Sequence, residues 1–392
     1  MTSERVVLVY SEADPDAPWS MGQPLMPPLG LPFLAGVLDH AGYDVALVDM
    51  SVRKWPLDDI VRNALAIGIW VGSISYQPAK RLATELRART SAPLILGGPH
   101  VTAMPETCAW PEVDYLCVGE GELAILEILA RIRGGAVRDG APRVVRSPLM
   151  SVDALDALPH PRVDLMPVDA YANGASEVST LGVFPLNTSR GCPFDCSFCS
   201  VRSVWGPKYR TFSPEWVLDE IGLRRDVLHA KGLYFYEDHF TAQPKRVMAI
   251  CDGMVERGWV MPWACEGRLD SISPGLLERM RAAGCECIKF GIESGSPRML
   301  KVLNKELDLD LAKRVRKMVR DAGIKFAAFM MWGLPGETPE DERLSAAFMA
   351  ELQVDYLISN RFTPTPRSAL YNQLVNDPSY HVDDNHFLRS SQ

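Results

Sequence analysis

Short apolar runs alternate with helix-length amphipathic segments through the first third of this chain, and that alternation leaves few folds open. Arg5-Val-Val-Leu-Val-Tyr10 reads as a buried strand. Pro28 to Ala41 shows helical spacing, with Leu31, Leu34, Ala35 and Leu38 on one face and Gly42 as the stop. Asp44–Asp49 predicts a strand, 57–65 a helix, 66–75 a strand and 79–89 a helix. Strands at 93–97 and 115–118 and a helix at 123–132 close the pattern. Such alternation predicts a parallel sheet with helices on both faces, whose ligands lie beyond the carboxyl ends of the strands. Two glycine-rich loops stand at those ends, Gly97-Gly98-Pro99-His100 and Gly119-Glu120-Gly121-Glu122. Glycine there admits close approach to a bulky ligand, or is turn chemistry alone.

The chain has 392 residues, enough for two domains, and 47% hydrophobic with 23% charged residues describes a globular protein. A net charge of −8 and the lack of any basic run argue against a nucleic-acid partner. No apolar run is long enough to span a membrane, and Met1-Thr-Ser-Glu-Arg-Val lacks the form of a signal peptide. The nine cysteines, an odd number with three clustered, suit a reducing cytoplasm better than a disulfide scaffold.

Those three are Cys192, Cys196 and Cys199, in Gly191-Cys-Pro-Phe-Asp-Cys-Ser-Phe-Cys199, spaced C-x3-C-x2-C. Three thiolates can hold three irons of a [4Fe–4S] cluster and leave the fourth open to a ligand. A zinc knuckle is the alternative, but no fourth Cys or His follows at zinc-ribbon distance. The run, with Phe198 just before the last Cys, resembles the radical S-adenosylmethionine (SAM) enzymes. In the first half, Pro28-Leu-Gly-Leu-Pro-Phe-Leu-Ala35, Gly42-Tyr-Asp-Val45, Asp49, Gly97-Gly-Pro-His-Val-Thr102 and Val118-Gly-Glu-Gly-Glu122 resemble, in order, the cobalamin-binding domain that precedes many radical SAM domains. The Asp-x-His-x-x-Gly loop that gives cobalt a histidine in many cobalamin domains is missing. No histidine ligand is therefore expected on the lower face of cobalamin.

The fold so implied is α/β: a flavodoxin- or Rossmann-like cobalamin-binding domain over 1–133, a linker over 134–180, a partial (β/α)6 TIM-type radical SAM barrel over 181–371, and a short, loosely ordered tail over 372–392. Barrel strands are read at 183–188, 232–240, 262–270, 285–295, 325–337 and 356–366. Arg190 and Lys208 read as solvated charges. Glu237 and Asp238 end the second barrel strand, where the resemblance implies contact with the SAM amino group. Arg268 ends the third, and its planar fork suits the cofactor carboxylate. Glu293 and Ser294 match the family's Gly-Ile-Glu-Ser-Gly element, which lines the ribose and amino-acid portion of SAM. Gly97, Gly98, Gly119 and Glu120 are the corresponding cobalamin-loop positions. His239 reads as a polar lining residue, and Cys265, Cys285 and Cys287 as buried small hydrophobes.

The resemblance implies a [4Fe–4S] cluster, SAM and cobalamin as cofactors, and a methyltransferase acting on an unactivated carbon or on phosphorus. A 5′-deoxyadenosyl radical would activate the substrate and methylcobalamin would supply the methyl group. A small-molecule substrate from a biosynthetic pathway and an external flavodoxin- or ferredoxin-type electron donor are the expected partners. A cobalamin-dependent cyclase without net methyl transfer and a non-catalytic cobalamin or iron–sulfur sensor are the alternatives.

Overall fold

The computed structural model describes residues 4–17, 26–135 and 140–390; the chain's first three residues, part of the expected linker (136–139) and the last two tail residues lie outside them. The chain forms two compact units. One comprises Met1–Ala172, Ser200–Gly206 and Pro364–Gln392, and the other Asn173–Cys199 and Pro207–Thr363.

The first unit is built on a six-stranded sheet in the order β2-β1-β3-β4-β5-β6, every pairing parallel. Its strands are β1 (Arg5–Tyr10), β2 (Asp44–Asp49), β3 (Ala64–Trp70), β4 (Leu94–Gly97), β5 (Tyr115–Val118) and β6 (Arg143–Arg146). This is the flavodoxin-like order, and it reverses between β1 and β3. Successive side chains feed two separate apolar layers, Val7 and Val9 on one face, Val6, Leu8 and Tyr10 on the other. Burial on both faces is why β1 reads as an unbroken apolar run.

Three stretches depart from the pattern the sequence suggests. Helix 57–65 ends at Val61, and residues from Ala64 onward belong to β3, which itself ends at Trp70 before a 3-10 turn at Ser73–Ser75. The expected linker contains β6. Its Arg-Val-Val-Arg sequence buries only Val145, as an edge strand should, so it shows no apolar run. The tail is folded too. A helix (Ala369–Leu374) leads to an antiparallel hairpin of Tyr380–Val382 with Leu388–Ser390. Phe387 and Leu388 are buried, Asn385 Nδ2 donates to Asp14 Oδ2 (2.9 Å), and Arg389 Nη2 donates to the Asp16 carbonyl (2.9 Å). The few apolar residues that anchor it, too sparse for a period, explain why the tail looks unstructured in sequence.

The second unit holds six parallel strands in sequence order: Val183–Leu186, Gly232–Phe235, Trp263–Gly267, Cys285–Glu293, Lys325–Trp332 and Tyr356–Arg361. Each ends earlier than the sequence suggests, and the residues that follow, among them Asn187, Glu237, Arg268 and Ser294, belong to the loops at the carboxyl end of the sheet. Helices between them start at well-made caps. Ser213 and Ser273 accept the amides of Trp216 and Leu276, each with Pro at the first helical position, and Thr338 with Asp341 forms a capping box. Along the fourth strand Ile288, Phe290 and Ile292 are fully buried, whereas Lys289 and Gly291 on the other face are half-buried. The first set packs outward and the second lines the lumen.

Candidate functional site at the carboxyl end of the barrel

The acidic pair after the second strand splits into two roles. Glu237 is buried and turned inward. Its Oε1 accepts the Thr188 amide (2.9 Å) and hydroxyl (2.7 Å), and its Oε2 accepts the Ser189 hydroxyl. Arg246 completes the knot, donating to the carbonyls of Thr188 (2.7 Å) and Phe212 (2.8 Å). Glu237 therefore fixes the segment that leads into the cysteine loop. Asp238 is open at the mouth. The surrounding protein, then the carboxylates of Glu237 and Glu266, push its carboxyl up to about 6, against the Gly191 amide. Sequence alone could not say which member of the pair faces the mouth.

Cys192, Cys196 and Cys199 follow on one loop, all half-buried. The loop is tied down at its centre. The Ser197 amide donates to the Leu303 carbonyl (2.9 Å), its hydroxyl to Val302 (2.9 Å), and Asn304 Nδ2 to Asp195 (2.7 Å). Arg268 lies over the ring of Phe194, 3.4 Å from its centroid, and donates to Asp270 Oδ2 (3.0 Å) and the Glu306 carbonyl (3.2 Å). Its Nη1 has no acceptor among the described residues. Burial pushes the thiols of Cys192 and Cys196 up; Arg268 opposes this at both, and Lys305 at Cys196. Among the described residues no three His, Cys, Asp or Glu side chains could share one metal ion. Cysteines holding three different irons stand farther apart than ligands of a single ion.

Glu293 and Ser294 part company. Glu293 adopts φ +69° and pairs with Lys305 (3.3 Å), both side chains at least nine-tenths buried. A Cβ on Gly291 would meet the ends of both side chains, so a larger residue there would displace the pair. Ser294 is fully buried instead, bonded to the Ser345 hydroxyl (3.1 Å) and the Ser296 amide (3.1 Å). It packs the turn onto the helix Pro339–Leu352 and does not reach the mouth. Lys305 and Arg246 were missed by sequence reading because neither stands in a motif. Arg190, read as solvated, is buried: it pairs with Arg210 in a two-residue ladder and lies 5.9 Å from the Phe212 centroid. Lys208 is exposed as expected, and Cys265, Cys285 and Cys287 are fully buried. His239 is buried, and its Nδ1 has no hydrogen-bond partner among the described residues.

In the first unit the loops after β4 and β5 are held by their own packing. A Cβ on Gly98 (φ +107°) would stand 2.8 Å from the Val71 carbonyl, and one on Gly119 (φ +94°) 2.8 Å from that of Ser147. Gly97 has ordinary clearance. Glu120 is buried and accepts the Met150 amide (2.5 Å), bracing the segment after β6. His100 is buried with both ring nitrogens engaged, Nδ1 by Ser73 Oγ (2.8 Å) and Nε2 by Thr107 Oγ1 (3.1 Å). It is thus a structural histidine.

Residues 186–348 match the model of the radical SAM superfamily, and residues 23–129 that of the B12 binding domain, together well over half of the chain. The chain belongs to the cobalamin-binding radical SAM enzymes. An uncharacterised methyltransferase of Pyrococcus horikoshii is 29% identical over 373 residues, covering 89% of this chain and 78% of its own length. The hopanoid C-2 methylase of Rhodopseudomonas palustris is 28% identical over 368 residues, covering 92% of this chain and 66% of its own. In fold the chain is similar to the radical SAM methyltransferase TsrM of Kitasatospora setae, solved with cobalamin and a [4Fe–4S] cluster bound, at TM-score 0.73 and 19% identity over 97% of this chain and 77% of that one.

SAM, a [4Fe–4S] cluster and cobalamin are the cofactors of this radical SAM enzyme. The residues present fit a cluster: three half-exposed thiols on one tethered loop, two cations beside them, and the orphaned His239 nitrogen next to Phe194. For cobalamin the fit is one of position. The switch between β1 and β3 is where such sheets take ligands.

Proposed function

We propose that this chain is a cobalamin-dependent radical SAM methyltransferase that methylates a small molecule at an unactivated carbon or at phosphorus. The observation that carries the reading is the half-exposed Cys192, Cys196 and Cys199 on the first barrel loop, in a chain whose other unit has the flavodoxin-like sheet order. The methyltransferase names of its relatives support methyl transfer. When bound, the cluster and SAM supply a 5′-deoxyadenosyl radical and cobalamin supplies the methyl group.

The three thiolates hold three irons and leave one open. Asp238, open at the mouth, accepts the amino group of SAM, a task Glu237 is too committed to share. Arg268 offers its unengaged Nη1 to the carboxylate. Glu293, held by Lys305, faces the ribose side, with Ser294 stiffening its turn. Gly97, Gly98, Gly119 and Glu120 shape the loops beside cobalamin. Electrons come from a flavodoxin- or ferredoxin-type donor, the substrate belongs to a biosynthetic pathway, and the protein works in the cytoplasm. Among the described residues, no helix is long and apolar enough to cross a membrane.

The test is anaerobic reconstitution with iron, sulfide and hydroxocobalamin, then reduction in the presence of methyl-labelled SAM. Labelled methylcobalamin in the extracted cofactor supports methyl transfer. Cobalamin that stays bound and unlabelled contradicts it.

A further inference from the structure

Below the mouth, the lumen carries a charged cluster that the reading above leaves without a task. Glu266 on the third strand is the cross-strand partner of Lys289 on the fourth. Lys289 Nζ stands 3.2 Å from Glu177 Oε1 and 3.8 Å from Glu266 Oε1. The Tyr234 hydroxyl donates to Glu266 Oε1 (3.2 Å). One lysine thus faces two carboxylates and is held closer by Glu177. The other oxygen of Glu266, Oε2, accepts no hydrogen bond from the described residues, and this side chain is 26% exposed where those of Lys289 and Glu177 are 11% and 10%. Aromatic faces surround the cluster. Lys289 Nζ lies 4.8 Å from the Tyr234 centroid and 5.2 Å from that of Phe329, and Tyr236, with its ring 5.9 Å from Tyr234, is exposed toward the mouth.

A carboxylate removed from bulk water is stable only when paired, and here one cation serves two. The Tyr234 and Phe329 faces already carry the Lys289 ammonium, so the unpaired carboxylate oxygen of Glu266 stands next to surroundings that accept an ammonium group. We propose that Glu266 is a substrate-binding residue that accepts the ammonium group of a primary amine, with Tyr236 and Phe329 as walls for its apolar body. The inference rests on the small-molecule enzyme reading above and names the class of its substrate. Burial raises the Glu266 carboxyl against Lys289 and Tyr234, so an arriving ammonium would favour its ionised form. Glu177 neutralises Lys289 and so keeps it from claiming Glu266.

SAM also carries an amino group, so the test separates the two sources. Equilibrium dialysis of the reconstituted holoenzyme is run with radiolabelled phenethylamine, phenethyl alcohol and 3-phenylpropionate, and separately with SAM. The amine is expected to bind about tenfold or more tightly than the alcohol or the acid, the scale of one charged hydrogen bond. Glu266→Gln should abolish that preference while SAM affinity and iron content stay unchanged. Glu177→Gln should reduce it, because Lys289 then turns to Glu266; this variant decides the matter if the first fails to fold. No amine preference, a preference that survives both variants, or a parallel loss of SAM affinity in Glu266→Gln would overturn the inference. Reductive SAM cleavage by the wild type is measured on the same samples. Its failure sinks the enzyme reading, whereas intact cleavage without amine preference sinks this inference alone.

Discussion

The guanidinium of Arg268 stacks on the ring of Phe194, joining the end of the third barrel strand to the loop that carries the three cysteines. The contact holds Arg268 beside the thiols and supports the loop between Cys192 and Cys196. Arg268→Lys keeps the charge but loses the planar fork and the stacking. It should weaken SAM binding about tenfold with little change in iron content, as a cation–π contact and one charged hydrogen bond are worth ~1–3 kcal/mol together. Phe194→Leu should lower iron retention as well. Equilibrium binding of SAM and iron analysis on the same reconstituted samples check both.

Glu237 has been placed as a fold residue, and its substitution should read out in stability. Glu237→Ala leaves the Thr188 amide and two hydroxyls without an acceptor, at about 1–3 kcal/mol for each buried group. Glu237→Gln, which keeps one carbonyl oxygen, should lose less. Urea unfolding of reconstituted protein gives the ordering, and equal midpoints for wild type and Glu237→Ala would contradict this placement. Asp238→Asn should weaken SAM binding without lowering the midpoint, because its surroundings disfavour the ionised carboxyl.

Lys305→Met strands the Glu293 carboxylate in a buried setting, an expected cost of about 3–5 kcal/mol. Adding Glu293→Gln should recover most of it, because the unpaired charge is gone. The double-mutant cycle measures that coupling directly. Additive losses would mean that the two side chains act independently.

The first unit should weaken in acid. Burial, with a smaller contribution from His386, lowers His100 to about 3, and His386, stacked on it at 5.2 Å, is lowered by burial against the pull of Asp383, Glu106 and Asp384. An unfolded histidine titrates near 6.5. The stability His100 gives by staying neutral is complete above pH 6.5 and fades as pH falls from 6.5 toward 3. Between pH 7.5 and 5 the loss is about 2 kcal/mol. Melting curves at those two pH values should show it, with a smaller drop for His386→Asn in place of the wild type. A melting temperature that rises on acidification would reverse the sign and reject the account.

How much of this the sequence held depends on the residue. The strand β1 declares itself because burial on both faces writes a continuous apolar run, whereas the barrel strands carry polar residues such as Glu286, Lys289 and Ser359 and show only shorter apolar stretches. β6 does not declare itself, since an edge strand buries one residue and keeps arginine at both ends. The cysteines are legible because cluster chemistry demands a spacing. Glu237 and Asp238 are legible as a pair, but a one-residue offset after a strand turns one inward and the other outward, and only backbone geometry decides which. Lys305 meets Glu293 across twelve positions and Arg246 reaches Thr188 across 58, distances over which no local pattern speaks.

The most direct test of the central claim is to count the nucleosides formed on reduction with SAM, anaerobically, by the cobalamin-loaded wild type and by the variant with Cys192, Cys196 and Cys199 all changed to Ala. The account predicts both 5′-deoxyadenosine and S-adenosylhomocysteine from the wild type and no 5′-deoxyadenosine from the variant. A wild type with full cluster and cobalamin that yields neither nucleoside, or a variant that still yields 5′-deoxyadenosine, would contradict it.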